Sequence, residues 1–130
     1  MNILVVEDED MILEGICEYL GEHEYYCIAA SDGQKAIEKF KNNEIHLVLL
    51  DIMLPKLNGI EVLQYIRKTS KIPVLMLTAF NDDDYKIKAF SGLCDGYIEK
   101  PFSLSLLETR INALLKRHYS NYSICIIENK

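Results

Sequence analysis

Three acids, a hydroxyl and an ammonium stand where short apolar runs of the sequence end. These residues are Glu7, Asp8, Asp51, Thr78 and Lys100. If the runs are neighbouring strands, the three carboxylates converge and repel one another strongly unless a cation joins them. Oxygen ligands without cysteine or histidine favour Mg²⁺ over zinc. A hydroxyl and an ammonium beside them would complete a site for an anionic group carried on one carboxylate.

Strand-like and helix-like segments alternate along the chain and would position these residues. Apolar runs without polar alternation, typical of parallel strands buried on both faces, occur at 3–6, 26–29, 46–50, 73–77 and 96–98. Helical periodicity or helix-capping residues follow each run, including a segment at 82–90 and a last helix capped by Ser103. Five strands and five helices predict a doubly wound α/β domain with a parallel sheet covered on both sides. Ligands of such folds bind at the carboxyl ends of the strands, where the strand order reverses.

Size and charge narrow the possible functions. The chain has 130 residues, of which 49% are apolar and 26% charged, which fits one globular domain. Its formal net charge of −6 argues against nucleic-acid binding by this chain itself. The apolar runs are too short to span a membrane, the start of the chain leaves no room for a signal peptide, and the cysteines are scattered. We therefore expect a cytoplasmic protein with one domain over 1–118 and a separate tail over 119–130.

The sequence resembles the receiver domain of two-component response regulators over about residues 2–118. Four motifs carry the resemblance in the family's order: I-L-V-V-E-D-E at 3–9, L-L-D-I-M-L-P at 49–55 with N-G at 58–59, L-T-A at 77–79, and G-Y-I-E-K-P-F at 96–102. The first and last motifs are most similar to the subfamily joined to a winged-helix DNA-binding domain. The resemblance implies a flavodoxin-like sheet with strand order 2-1-3-4-5.

The resemblance also implies a phosphorylation-dependent switch. Asp51 would be the phosphoacceptor, and its carboxylate would take the phosphoryl group from a phosphohistidine of a sensor histidine kinase. Asp8, Asp51 and the backbone carbonyl of Met53 would hold Mg²⁺, while Glu7 would act mainly through a bound water. Such a protein is not an enzyme, although it would catalyse its own phosphorylation and a slow dephosphorylation.

Four further residues are implied to respond to the phosphoryl group. Lys100 would pair with the phosphoryl oxygens, and its bond to Pro101 is a candidate cis peptide that would aim the lysine inward. Thr78 would move to hydrogen-bond the phosphoryl group. Tyr97 would follow it from an exposed to a buried rotamer.

A weak homodimer, strengthened by phosphorylation, is expected on the side of the last helix that faces away from its core stripe. The expected face comprises Lys86, Asp95, Leu106, Arg110 and Arg117, with pairs such as Asp95–Arg110 across a twofold axis. The chain departs from the subfamily at Gly96 and Leu106, where an acid is usual. The face should therefore be more apolar than is typical.

Other interpretations of the same residues remain open. A Mg²⁺-dependent aspartyl phosphohydrolase commonly has a second acid two residues after its nucleophile, but that position is Met53 here, which cannot move a proton. A receiver that binds partners without phosphorylation is a further alternative. The β-like tail from Tyr122 suggests a transcription regulator continuing beyond this chain, and the alternative is a stand-alone receiver. Met53 and Phe80 are expected to keep water from the acyl phosphate and to slow its hydrolysis.

Overall fold

The computed structural model describes residues 1–79 and 92–119. Within these ranges the elements are β1 (Asn2–Val6), α1 (Asp10–Glu22), β2 (Tyr26–Ala30), α2 (Gly33–Asn42), β3 (Leu47–Asp51), α3 (Gly59–Thr69), β4 (Val74–Thr78), β5 (Gly96–Glu99) and α4 (Leu104–His118). The predicted helix over 82–90, with Lys86, lies outside the described residues. So do Phe80 and the predicted strand that begins at Tyr122.

The five strands form one parallel sheet in the order β2-β1-β3-β4-β5, as predicted. Every residue of β3 and β4 is buried, because helices cover both faces of the sheet. The strand order reverses between β1 and β3. Val6 pairs with Leu50 there, so Glu7, directly after β1, lies beside Asp51, the last residue of β3.

The core consists of two apolar layers, one on each face of the sheet. Successive strand residues point to opposite faces, so Ile3 and Val5 pack with α1 and α4, whereas Leu4 and Val6 pack with α2 and α3. The predicted stripe of the last helix takes part in the first layer, although Leu104 is only partly buried. Both layers fix the strand ends to which the polar residues are attached.

Three helices begin at residues that cap them with side-chain oxygens. Asp32, Asn58 and Ser103 each accept a hydrogen bond from the backbone N–H three residues later, at 2.8, 3.0 and 3.1 Å. Each cap contributes about 1 kcal/mol to helix stability. The cap at Ser103 was predicted from the sequence, and all three caps end loops at the carboxyl edge of the sheet.

The longest helix in the described ranges is α4, with 15 residues. No helix within residues 1–79 or 92–119 is both long and apolar enough to cross a membrane.

Candidate functional site

The predicted acidic cluster forms at the carboxyl edge of the sheet. Glu7, Asp8 and Asp51 each place a carboxylate oxygen within 4.8 Å of those of the other two. Glu7 and Asp51 are buried and Asp8 is exposed, so the cluster opens to solvent on one side. Three carboxylates with no nitrogen or sulfur donor in the set suit a hard cation such as Mg²⁺. The donor set therefore fits the metal that the sequence implied.

Lys100 neutralises part of the negative charge of the cluster. Its Nζ donates a hydrogen bond to Asp51 Oδ2 at 2.8 Å and lies 2.6 Å from Glu7 Oε1. The lysine follows β5, where its backbone N–H donates to the carbonyl of Thr78 at 2.7 Å. The bond from Lys100 to Pro101 is cis, in agreement with the sequence prediction. One ammonium thus serves two buried carboxylates.

The Glu7 carboxylate is incompletely compensated. Its Oε2 accepts the backbone N–H of Glu9 at 3.1 Å. Its Oε1 is in close contact with Lys100 Nζ as an ion pair and has no further partner among the described residues. A buried carboxylate that shares one ammonium with Asp51, in a cluster of three acids, is the observation that best fits a bound cation at this place.

Burial changes the pKa values of Glu7 and Lys100. Desolvation by burial is the largest influence on Glu7 and raises its pKa from 4.5 to about 7, although Lys100 and the Glu9 N–H act in the opposite direction. Burial lowers the pKa of Lys100, but its interactions with the carboxylates of Asp51 and Glu7 outweigh burial, so the net shift is upward. Lys100 is therefore charged at neutral pH, and Glu7 titrates near neutrality.

Asp51 is held by the loop that follows it. Its Oδ1 accepts the backbone N–H of Met53 at 3.0 Å, while Oδ2 faces Lys100. Gly59 packs directly on this turn, because a Cβ there would lie 2.3 Å from the carbonyl oxygen of Asp51. The side chain of Met53 points outward and is 65% exposed. Asp51 is thus fixed in orientation beside an exposed apolar side chain.

Thr78 lies on β4, which pairs with β3, and Tyr97 lies on β5, the next strand of the sheet. Thr78 is buried at the end of β4, one residue beyond the level at which Leu77 pairs with Asp51. Tyr97 is partly buried on β5, where it pairs with Met76. Both residues line one cleft of about 590 Å³, together with Leu106 and Arg110 of α4. The structure thus brings the two expected switch residues to a common surface.

The structure describes four residues of the expected dimer face, whereas Lys86 lies outside the described ranges. Leu106 is 43% exposed, and Arg110 and Arg117 are also exposed on α4. Arg110 Nη1 donates to the carbonyl of Tyr97 at 3.4 Å. Asp95, however, makes its ion pair within the chain, to Arg67 of α3 at 2.9 Å.

Arg67 was not anticipated from the sequence. Its guanidinium donates to the carbonyls of Leu93 at 2.6 Å, Ile72 at 2.7 Å and Ser70 at 3.4 Å, as well as to Asp95 Oδ2. We refer to these contacts as the Arg67 clamp. A basic residue in the last turn of a helix is an ordinary feature of sequences, and carbonyl acceptors leave no trace in residue types. The backbone N–H groups of Glu9 and Met53, which donate to Glu7 and Asp51, were likewise not predictable from residue types.

Comparison with known proteins identifies the family. Residues 3–112 match the family described as response regulator receiver domain. The chain is 47% identical over 119 residues to response regulator RR06 of Streptococcus pneumoniae, covering 92% of this chain and 55% of that protein. It is 42% identical over 114 residues to the uncharacterized transcriptional regulatory protein YcbL of Bacillus subtilis, covering 88% and 50%. The chain thus spans about half the length of these relatives.

A solved structure extends the likeness to the fold. Response regulator TrrA of Thermotoga maritima, solved in complex with Mg²⁺-BeF, is 35% identical and superposes with a TM-score of 0.78, covering 87% of this chain and 97% of that one. The family match covers most of the chain, and the acidic cluster lies at the strand ends where the motifs predicted it. The chain therefore belongs to the receiver domains of two-component response regulators.

Proposed function

We propose that this receiver domain is switched by phosphorylation of Asp51. The observation that carries the proposal is the setting of that carboxylate. It is buried, its two oxygens face the Met53 N–H and the Lys100 ammonium, and it lies within the acidic cluster. A carboxylate held in one orientation beside a fixed cation is suited to attack on phosphorus.

The reaction that fits this geometry is phosphoryl transfer from a phosphohistidine of a sensor histidine kinase. An oxygen of Asp51 forms the new P–O bond as the P–N bond to the histidine breaks, which yields an acyl phosphate and a free imidazole. Lys100 then faces the added negative charge. Asp8, Asp51 and the carbonyl of Met53 are the proposed Mg²⁺ ligands, with Glu7 acting through a water. The bound ion would supply charge neutralisation and orientation of the phosphoryl oxygens.

The proposed output is a change of the surface around β4, β5 and α4. Thr78 is one strand away from Asp51 and carries the hydroxyl that would bond the phosphoryl group. Tyr97 shares its cleft and would turn inward when Thr78 moves. The exposed Leu106 and Arg110 line this cleft, and together with the exposed Arg117 further along α4 they are the proposed contact of a phosphorylation-dependent homodimer. Asp95 is left out of that contact, because Arg67 holds it.

The receiver is proposed to control transcription through a domain outside this chain. The relatives are about twice as long, and one is described as a transcriptional regulatory protein. Residues 1–118 would form the receiver, and 119–130 would be a linker or the start of the effector domain. A cytoplasmic location is supported by the cysteines of the sequence, which are scattered and show no paired spacing.

Hydrolysis of other phosphate esters is not supported by the site. The position of the second acid in aspartyl phosphohydrolases is occupied by the exposed methionine Met53, which cannot transfer a proton. The proposed chemistry is therefore limited to the domain's own phosphorylation and slow dephosphorylation.

Intact-mass spectrometry tests the assignment directly. With Mg²⁺ and acetyl phosphate, the wild-type chain should gain one phosphoryl group. Asp51→Asn should abolish the gain, and Asp8→Ala should reduce it by weakening the metal site. Asp10→Asn, which neutralises an exposed acid at the start of α1, is the matched control and should label normally. Normal labelling of the Asp51→Asn protein would overturn the assignment.

A further inference from the structure

The loop between β3 and α3 contains an unusual backbone conformation at its only ionisable residue. Residues 52–58 include one charged side chain, Lys56, and its φ is 65°. This left-handed region favours glycine, asparagine and aspartate over a residue such as lysine. A residue held in such a conformation points to surrounding contacts that fix it there.

Lys56 forms an ion pair with a buried aspartate. Lys56 Nζ lies 3.5 Å from Asp32 Oδ2, while Asp32 Oδ1 accepts the backbone N–H of Lys35 and caps α2. That hydrogen bond is the largest influence on the carboxyl, and together with Lys56 it lowers the pKa of Asp32 despite burial. Asp32 is thus charged at neutral pH and uses one oxygen for the helix and the other for the loop.

The loop backbone is also pressed against the same helix terminus. A Cβ on Gly33, the first residue of α2, would lie 2.1 Å from the carbonyl oxygen of Leu57, so only glycine allows this approach. At the base of the loop, the N–H of Gly59 donates to the carbonyl of Ile52 at 2.9 Å. The loop is therefore held at its tip on α2 and closed at its base between Ile52 and Gly59, and Met53 lies between these two points.

We propose that Asp32 and Lys56 are positioning residues for the Mg²⁺ site. Their ion pair holds the tip of the loop on α2 and thereby sets the position of the Met53 carbonyl, without contact to the ion. The inference rests on the proposed function, because it takes that carbonyl as a ligand. Mg²⁺ demands near-octahedral geometry with short ligand distances, so a small displacement of one ligand lowers the affinity.

Calorimetric titration of the full chain with MgCl₂ tests this role. Lys56→Gln removes the charge, and Asp32→Asn removes the partner's charge while keeping a good helix cap. Each single variant should bind Mg²⁺ about two- to fivefold more weakly, the range expected for a partly exposed ion pair. The double variant should lose no more than either single variant, because both remove the same interaction. Lys56→Arg should restore the wild-type affinity.

Two controls separate positioning from general effects of charge and stability. Lys39→Gln makes the same charge change at an exposed site on α2 and should leave Mg²⁺ affinity unchanged. Lys56→Gly removes the ion pair but also relieves the left-handed conformation. It should therefore keep the wild-type urea midpoint while binding Mg²⁺ as weakly as Lys56→Gln.

The outcomes distinguish this inference from the function on which it rests. Wild-type affinity in Lys56→Gln, or an equal loss in Lys39→Gln, would overturn the positioning role alone. A loss of affinity in Lys56→Gly that is matched by a lower urea midpoint would also overturn it, because the effect would then be one of stability. Failure of the wild-type chain to bind Mg²⁺ would instead overturn the proposed metal site.

Discussion

Glu7→Gln is expected to remove part of the pH dependence of the unfolding free energy in the absence of metal. The usual pKa of a glutamate is 4.5, whereas that of Glu7 in the folded chain is about 7. The folded state therefore holds the carboxyl proton more tightly than the unfolded state does. The free energy of unfolding must then decrease as the pH rises from below 4.5 through about 7. Glutamine keeps the shape of the side chain but cannot ionise, so the variant lacks this decrease.

The size of the effect follows from the shift. One pKa unit corresponds to about 1.4 kcal/mol, so a carboxyl raised from 4.5 to about 7 corresponds to about 3 kcal/mol. The difference in unfolding free energy between Glu7→Gln and wild type should therefore change by about 2–3 kcal/mol, in favour of the variant, between about pH 5 and about pH 8, with the remainder below about pH 5. Effects of the substitution that do not depend on pH, such as altered packing, cancel in this comparison.

Urea unfolding followed by far-UV circular dichroism, in the presence of EDTA, measures this difference. Glu14→Gln on the exposed side of α1 is the matched control and should track the wild type at every pH. Added Mg²⁺ should stabilise the wild type at the upper end of the pH range and should stabilise Glu7→Gln much less, because a cation favours the ionised carboxylate. Parallel stability curves for Glu7→Gln and wild type across the pH range would refute the reasoning.

Three further predictions concern the clamp, the lifetime of the phosphoryl group and assembly. Arg67→Ala should lower the free energy of unfolding by about 2–3 kcal/mol in urea titrations, because several backbone carbonyls and a carboxylate lose their donor. A Met53→Asn, Phe80→Glu double variant should lose its phosphoryl group faster than wild type in a mass-spectrometric time course. An equal rate would contradict the expectation that Met53 and Phe80 keep water from the acyl phosphate. Leu106→Glu and Arg110→Ala should weaken association of the phosphorylated chain in sedimentation, and unchanged association in both would exclude this face.

The fold was predictable because its signals are local and repeat along the chain. Uninterrupted apolar runs such as 46–50 indicated buried parallel strands, and Ser103 marked the start of the last helix. Once the strand order is known, the ends of β1 and β3 must adjoin, so the meeting of Glu7 with Asp51 required no information on side chains. The order itself came from the family resemblance rather than from the hydrophobic pattern.

Contacts made by backbone atoms were beyond prediction from residue types. The Met53 N–H that orients Asp51, and the Leu57 carbonyl that requires glycine at 33, depend on the path of a loop. The expected pairing of Asp95 across a dimer axis also did not account for Arg67, which is 28 residues away in the sequence and adjacent only after α3 packs on the sheet. Charge pairing between distant residues is settled by tertiary packing, which no local pattern records.

The Arg67 clamp constrains how this sequence can diverge. Three of its four acceptors are backbone carbonyls, which every residue type supplies, so the clamp leaves the side chains at 70, 72 and 93 free to vary. Asp95 is different, because its Oδ2 accepts both from Arg67 and from the backbone N–H of Val74 at 2.8 Å. Arginine at 67 and an acid at 95 should therefore be retained or exchanged together in homologous sequences, whereas the clamp does not require particular side chains at 70, 72 and 93.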